Sequence, residues 1–308
     1  MKKITDDNRK SMIKIRGGYS EEFDIVSFDE EMQLEELSDR TRVIISNKLY
    51  ILLSTLFEKY SGEYINCSFE CNSSDEFCKE LLSEVFAKRN NIKKGYSFDW
   101  EEVFEKYIHN VVENAVYNEV LDLMWYICEW INNNFPIVAN QRAHYDLFNM
   151  VFEKENVGYR FVNGRIVQIT DKNEIDVIEK VANSDFEGCR QHINNAVAFL
   201  ADREKKDYKN CVKESISAVE SICKVIIGKD NTTLGEALKV LESKRGLKGP
   251  LKSAFEKLYS YTNDKGGIRH AEGLFVSNVS FEEAKFMLVS CSAFVNYLVS
   301  EYGNINNE

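Results

Sequence analysis

Apolar residues recur at helical spacing through the first half of the chain. The segments 41–60 and 118–135 are apolar on nearly every face, which is typical of helices buried inside a bundle. Three further segments carry apolar residues on one face and predict amphipathic helices; these are residues 73–89, 97–115 and 141–156. Together these patterns predict a helical amino-terminal domain over residues 1–157.

The period changes at "GYRFVNGRIVQIT", residues 158–170, where two short β-rich runs flank Asn163 and Gly164. Asn-Gly adopts the positive φ angles of a type I′ turn, so this segment predicts a β-hairpin near residues 159–169. Because an isolated hairpin is marginally stable in water, it is expected to pack between the helical halves. We assign residues 158–183 to a hairpin and connector.

Helical periodicity resumes after residue 183, with clear start and stop signals. Gly228 ends one segment with an apolar stripe, and Gly249-Pro250 begins another helix. Capping-box spacing occurs at Thr233/Glu236 and at Ser280/Glu283. Helices are predicted over residues 184–202, 207–228 and 231–243, from 249 onward, and over 280–303. The fold class is therefore mainly α, with a compact carboxyl-terminal bundle over residues 184–302 and a frayed tail at 303–308.

Composition adds a compartment and removes some chemistries. Among 308 residues, 44% are apolar and two are prolines, which suits a mainly helical globular protein. No apolar run reaches the length of a membrane span, and the first ten residues lack the apolar stretch of a secretory signal. We expect a cytoplasmic protein with no membrane contact. No phosphate-binding P-loop or nucleophile elbow occurs in the sequence.

The cysteines and the first histidine predict structural roles. Eight cysteines are scattered without a paired C-x-x-C, although Cys67, Cys71 and Cys78 lie close together. Reduced, buried thiols are the expected state, and no metal or other cofactor is predicted. His109 lies alone on a predicted helix and is expected to be structural.

Charge is unevenly distributed along the chain. The net charge of -11 opposes binding of nucleic acid through a broad basic face. Residues 21–36 hold eight acids and no Lys or Arg, whereas residues 239–269 hold eight basic side chains and three acids. Eight minus three gives a local charge of +5, at a segment that ends in Gly266, Gly267, Ile268 and Arg269. This bias fits either a local phosphate-facing surface or a solvated face.

Several segments together carry a family pattern. "VGYRFVNGRIVQIT", "DYKNCVKESISAVESICKVI", "TLGEALKVLE", "LKSAFEKLYSYTNDKGGIRHA" and "EAKFMLVSCSAFVNYLV" occur in this order. The chain resembles the AbiJ-type abortive-infection family with its fourth class of amino-terminal domain, and residues 184–302 resemble a HEPN-type helical bundle. The resemblance implies antiphage defence, and HEPN domains are often metal-independent ribonucleases that act as dimers. A homodimer, RNA and a partner defence protein are therefore the expected partners.

The usual HEPN site has an arginine separated from a histidine by four to six residues. Upstream of His270 this chain instead has Lys265, Asp264 and Asn263 at those positions, and its arginine, Arg269, is adjacent. The pattern thus departs from the family at the residue that binds phosphate.

Metal-free RNA cleavage requires proton transfer and positive charge on the reacting phosphate. His270 has the pKa range for proton transfer, and Arg269 offers a planar fork for phosphate oxygens. The predicted catalytic residues are Arg269 and His270. The predicted supporting residues are Tyr261, Asn263, Lys265 and Glu220, with Gly266 and Gly267 forming the turn.

Three other interpretations stay open for the same turn. Gly266 and Gly267 could end a helix, with Arg269 paired to Glu214 or Glu220. The bundle could be a non-catalytic HEPN-like module for binding and dimerisation, which the missing upstream arginine favours. The turn could also be a phosphate nest in a nucleotide-sensing regulator.

Overall fold

The computed structural model describes residues 32–60, 74–86, 99–135, 142–202, 205–263 and 279–302. Helices make up most of the first half. They are α1 (Asp39–Tyr60), α2 (Ser74–Leu81), α3 (Trp100–Val103), α4 (Asn110–Asn114), α5 (Tyr117–Asn134) and α6 (Ala143–Lys154). A π-helical segment, Leu82–Phe86, continues α2, and another, Phe104–His109, joins α3 to α4.

The second half begins with a hairpin and continues as helices. Its elements are β1 (Arg160–Val162), β2 (Arg165–Val167), α7 (Lys172–Ala182), α8 (Glu187–Ala201), α9 (Tyr208–Ile227), α10 (Leu234–Arg245), α11 (Gly249–Asn263) and α12 (Phe281–Tyr302). The prediction of a mainly helical fold with one short antiparallel hairpin is confirmed.

The hairpin forms as its turn residues predict. β1 and β2 are antiparallel, with Phe161 opposite Ile166. Asn163 and Gly164 have φ angles of 46° and 80°, the left-handed values that a type I′ turn requires at both central positions. Gly tolerates this conformation because it has no Cβ, and Asn tolerates it because its short polar side chain can hydrogen-bond locally.

Helix ends in the second half follow the predicted capping chemistry. At the start of α10, Glu236 N–H donates to the Thr233 hydroxyl at 3.3 Å, and Thr233 N–H donates to the Glu236 carboxylate at 2.9 Å. Ser280 and Glu283 form the same reciprocal pair before α12. Gly228 ends α9 in the left-handed conformation, with φ of 65°.

The first hydrophobic core is rich in aromatic side chains. Phe77 lies at its centre, in edge-to-face contact with Phe57, Trp100 and Trp130 at centroid distances of 5.4–6.1 Å. The apolar faces predicted for residues 73–89 and 97–115 point into this core. Within residues 141–156, α6 buries a stripe through Tyr145, Phe148 and Phe152 and leaves Met150 68% exposed.

The second core is formed by α7–α10 and α12, with α11 packed against it. The predicted inner stripe of α9 is buried there, including Val212, Ile216 and Val219. The two cores divide within the hairpin, since Phe161 belongs to the first and Val162 to the second. β1 and β2 therefore tie the two helical halves together.

Helix α7 was not predicted from the sequence and lies inside the proposed connector. Asp171 caps it by accepting from Glu174 N–H at 3.0 Å, and Ile175, Ile178 and Val181 are buried in the second core. These residues have the cap and the apolar spacing of a helix, so the sequence does contain a helical pattern here, although over a short segment. The connector therefore contributes a helix to the second core.

The cysteines that the structure describes are buried, as predicted; they are Cys78, Cys128, Cys189, Cys211, Cys223 and Cys291. Cys67 and Cys71 lie outside the described residues. Burial raises the pKa of Cys189 to about 11 and that of Cys223 to about 12, so both thiols are protonated and unreactive at neutral pH. Across the described ranges, no helix combines the length and apolarity needed to cross a membrane.

Candidate functional site

The predicted catalytic turn lies between α11 and α12. Tyr261 and Asn263 are in the last turn of α11, which ends at Asn263. Lys265, Gly266, Gly267, Arg269 and His270 lie outside the described residues, which resume at Val279. Glu220 lies on α9 and is partly buried. The contacts of Arg269 and His270, and the supporting roles proposed around them, stay predictions.

Basic side chains surround the helices that precede this turn. Lys252 of α11 binds Glu242 of α10 at 2.6 Å and lies 3.8 Å from Glu256. The hydrogen bond to Glu242 raises the pKa of Lys252. The two acids of this stretch that the structure describes therefore share one lysine. The other basic residues in the described part of this stretch are exposed; they are Lys239, Lys244, Arg245, Lys248 and Lys257. The positive bias read from the sequence thus lies on an accessible surface of α10 and α11.

Glu214, one of the predicted alternatives for pairing with Arg269, has described partners on α8. Its Oε2 atom lies 2.8 Å from His192 Nδ1 and accepts from the Asn195 side-chain amide at 3.3 Å. His192 is 37% exposed. This carboxylate–imidazole pair joins α8 to α9, and the sequence pattern did not indicate it because the two residues are 22 positions apart.

A second histidine arrangement resembles a hydrolytic triad but is closed to substrate. Ser46 Oγ is 2.8 Å from His109 Nδ1, and Glu113 lies 3.6 Å from His109 Nε2. Ser46 is 4% exposed, so its hydroxyl is inaccessible to a substrate. The contacts instead tie α1 to the helix containing His109, which agrees with the structural role predicted for this histidine.

A central groove runs between the two cores, with β2 as its floor. It consists of two adjoining cavities of about 790 and 420 Å³, which share Tyr117, Ile166 and Ala201. The larger cavity lies between α5 and the end of α8. The smaller one extends past the chain segment after α8 to Phe281, the first residue of α12. We call these two cavities together the central groove.

Aromatic rings line the central groove. Tyr117 stacks with Tyr159, with ring centroids 6.3 Å apart, and the Arg165 guanidinium lies 5.0 Å from the centre of the Trp125 ring. Phe199, Tyr208 and Phe281 also line it. The charged side chains in the lining are Glu35, Asp122, Asp202 and Glu282 against Arg165 and Lys206. Four carboxylates and two cations give these described lining residues a formal charge of about −2.

The hairpin turn is held by side chains from both halves. The Trp125 indole N–H donates to the Gly164 carbonyl at 3.0 Å, and Arg142 donates to the Asn163 side-chain oxygen at 2.8 Å. From the second half, Glu179 accepts from Asn163 N–H at 3.2 Å, and Asn194 accepts from the Asn163 side-chain amide. We call this set of contacts the hairpin joint. It forms one wall of the central groove through Trp125.

The sequence pattern did not reveal the central groove. Its α5 residues Asp122 and Trp125 lie in the segment 118–135, which the sequence pattern predicts to be an almost uniformly apolar buried helix, and Tyr117 directly precedes that segment. Polar residues interrupt that segment at Asn118 and Asp122, which are one helical turn apart and so share a face of the helix. This polar face is the sequence feature that indicates a side of α5 not buried in the core. The partners across the groove lie some 80 positions along the chain, beyond the reach of local spacing.

The fold and groove define a class: a helical protein with two cores that are joined through a β-hairpin. The family profile of AbiJ N-terminal domain 4 matches residues 16–184, which is more than half of the 308 residues. The chain therefore belongs to this AbiJ family, which is a family of abortive-infection defence. No curated protein and no solved structure matched the chain. The matched region includes the hairpin and α7 and ends just before α8.

Proposed function

We propose that this protein is an antiphage, abortive-infection effector whose carboxyl-terminal bundle is HEPN-like and cleaves RNA without a metal ion. Family membership is the observation that carries the defence role. In the proposal, residues 1–157 form a sensor or partner domain and residues 184–302 form the effector, which acts in the cytoplasm as a homodimer with or without a partner defence protein.

The RNA-cleaving part of the proposal is supported by the surroundings of the turn. The Gly-Gly-Ile-Arg-His segment connects α11 to α12, two helices that pack with the second core. Exposed lysines on α10 and α11, such as Lys244 and Lys257, provide positive charge for a phosphate backbone on the helices that precede that turn in the chain. A short basic surface of this kind suits a local RNA contact, despite the net charge of -11.

Each residue of the turn has a chemical task in the proposal. His270 either accepts the proton of the attacking 2′-hydroxyl or donates a proton to the leaving oxygen. Arg269 binds the phosphate oxygens as negative charge develops on them. Lys265 adds the charge that the absent upstream arginine would supply, while Tyr261 and Asn263 donate hydrogen bonds. Two copies of His270 in a dimer would supply both the acid and the base.

The first prediction concerns His270. Full-length protein is incubated with total RNA in the presence of a metal chelator, and cleavage is followed on a sequencing gel. We expect His270→Ala to cleave at least about 100-fold more slowly than wild type, because general acid–base catalysis contributes about 10²–10⁴-fold.

The matched control is His192→Ala, which removes a partly exposed histidine from the same half of the protein. It should retain wild-type cleavage. Cleavage that is equal in wild type and His270→Ala, or absent from both, contradicts the catalytic proposal.

A non-catalytic function is favoured by one observation, namely that Lys265, Asp264 and Asn263 replace the upstream arginine of the HEPN pattern. In that case the bundle binds and dimerises within a defence complex. Overexpression distinguishes the two, because a folded His270→Ala variant that still arrests growth supports binding rather than cleavage.

A further inference from the structure

We propose that the central groove binds a nucleoside-type ligand, with a planar base and hydroxyl groups but without a phosphate chain. The proposal is independent of RNA cleavage, since none of the groove residues belongs to the predicted catalytic turn. It rests on the groove's size, its aromatic lining, its charge and its position between the two cores.

The size of the groove fits a small molecule. Cavities of about 420 and 790 Å³ fall within the usual range for small-ligand sites, which also occur preferentially where two packed units meet. The groove is formed by regular elements on three sides, namely α5, β2 and α8. Its shape is therefore set by packed elements rather than by loops alone.

The aromatic lining suits a planar ring. Tyr117 and Trp125 project from α5 on one side, and Phe199 projects from α8 on the other. Aromatic side chains stabilise a bound base by stacking, and they do so without requiring a particular base. A ring bound between α5 and α8 would contact both halves of the protein at once.

The charge of the groove selects against phosphate. Glu35 and Glu282 are exposed at the smaller cavity, and Asp122 and Asp202 line the larger one. Carboxylates accept hydrogen bonds from the hydroxyl groups of a sugar and the amino groups of a base. The same carboxylates repel a triphosphate, which only Arg165 and Lys206 in the described lining would attract.

The position of the groove gives such a ligand access to the effector half. Phe281 and Glu282 line the smaller cavity and begin α12, the helix that follows the proposed catalytic turn. Trp125 lines the larger cavity and also holds the hairpin turn through Gly164. The groove therefore extends from the hairpin joint to the start of α12.

Isothermal titration of the full-length protein with adenosine, guanosine, cytidine and uridine, and then with their 5′-triphosphates, tests the proposal. We expect at least one nucleoside to bind, and its triphosphate to bind about tenfold more weakly because of charge repulsion. The proposal is overturned if no nucleoside binds, or if the triphosphate binds as tightly as the nucleoside.

Two matched pairs of variants locate the binding site. Phe199→Ala should weaken the nucleoside about tenfold through lost stacking, whereas Phe286→Ala, at an exposed ring of α12 outside the groove, should leave affinity unchanged. Equal effects of the two substitutions would refute the assignment to the groove.

The second pair keeps the test decisive if Phe199→Ala fails to fold. Glu35→Gln combined with Glu282→Gln removes two exposed carboxylates of the groove and should reduce the preference for nucleoside over triphosphate. The control, Glu105→Gln with Glu301→Gln, makes the same charge change at exposed sites outside the described lining. A preference that does not change, or that changes equally in the control, overturns the proposal.

Discussion

At the scale of single residues, His144 is a polar side chain that is buried in the described part of the fold. It is 1% exposed, and neither ring nitrogen has a hydrogen-bond partner among the described residues. Burial, followed by the nearby charge of Arg142, lowers the pKa of His144 to about 4. The imidazole is therefore neutral in the folded protein at pH 7 and packs against the Tyr145 ring.

This lowered pKa predicts acid sensitivity. The unfolded chain binds a proton at His144 near pH 6.5 and the folded protein near pH 4, so the stability supplied by the neutral state is lost as pH falls through this window. Between pH 7 and pH 5 the loss from this one group is about 2 kcal/mol. Urea unfolding of wild type and His144→Phe at both pH values measures it. A pH dependence that is identical in the two proteins would contradict the prediction.

At the scale of elements, local chemistry predicted much of the secondary structure. The capping box at Thr233 and the Asn163-Gly164 turn could be predicted because each rests on residues at most three positions apart. The π-helical segments could not, since a shift in backbone hydrogen bonding leaves apolar spacing almost unchanged. Helix α7 was missed because its short apolar stripe follows directly on the hairpin.

Two glycines with opposite requirements test the backbone argument. Gly164 has φ of +80°, and an added Cβ would lie 3.2 Å from the Tyr145 hydroxyl. Gly164→Ala should therefore destabilise the protein by about 1–2 kcal/mol. Gly235 lies in helix α10 with open space around it, so Gly235→Ala should stabilise by up to about 1 kcal/mol. Denaturant unfolding measures both, and changes of the same sign would refute the reasoning.

At the scale of the whole molecule, the hairpin joint is what the sequence could not show. Its side chains come from α5, α7 and α8 and from Arg142, which directly precedes α6, and they meet at two turn residues. Pairing across 16 to 39 positions depends on the packing of both cores, whereas periodicity reports only which face of each helix is apolar. The family pattern indicates a defence role from sequence alone. The central groove could not be predicted, because its walls come together only in the assembled fold.

Trp125→Phe tests the hairpin joint, because it keeps an aromatic ring but removes the N–H donated to Gly164. We expect a loss of about 1 kcal/mol and faster amide hydrogen exchange in residues 158–170. The control is Trp130→Phe, since the Trp130 indole N–H is buried without a partner among the described residues. Exchange in the hairpin that rises equally in both variants would argue against a specific role for Trp125.

The division of the cores within the hairpin has a consequence for protein engineering. Family membership extends to residue 184, yet the last part of that region, from Val162 through α7, is buried with the helices that follow it. A chimaera that grafts a foreign carboxyl-terminal half after residue 184 would leave Ile175 and Ile178 facing a surface that did not evolve with them. Swaps between relatives should therefore either transfer α7 with the carboxyl-terminal helices or redesign that contact.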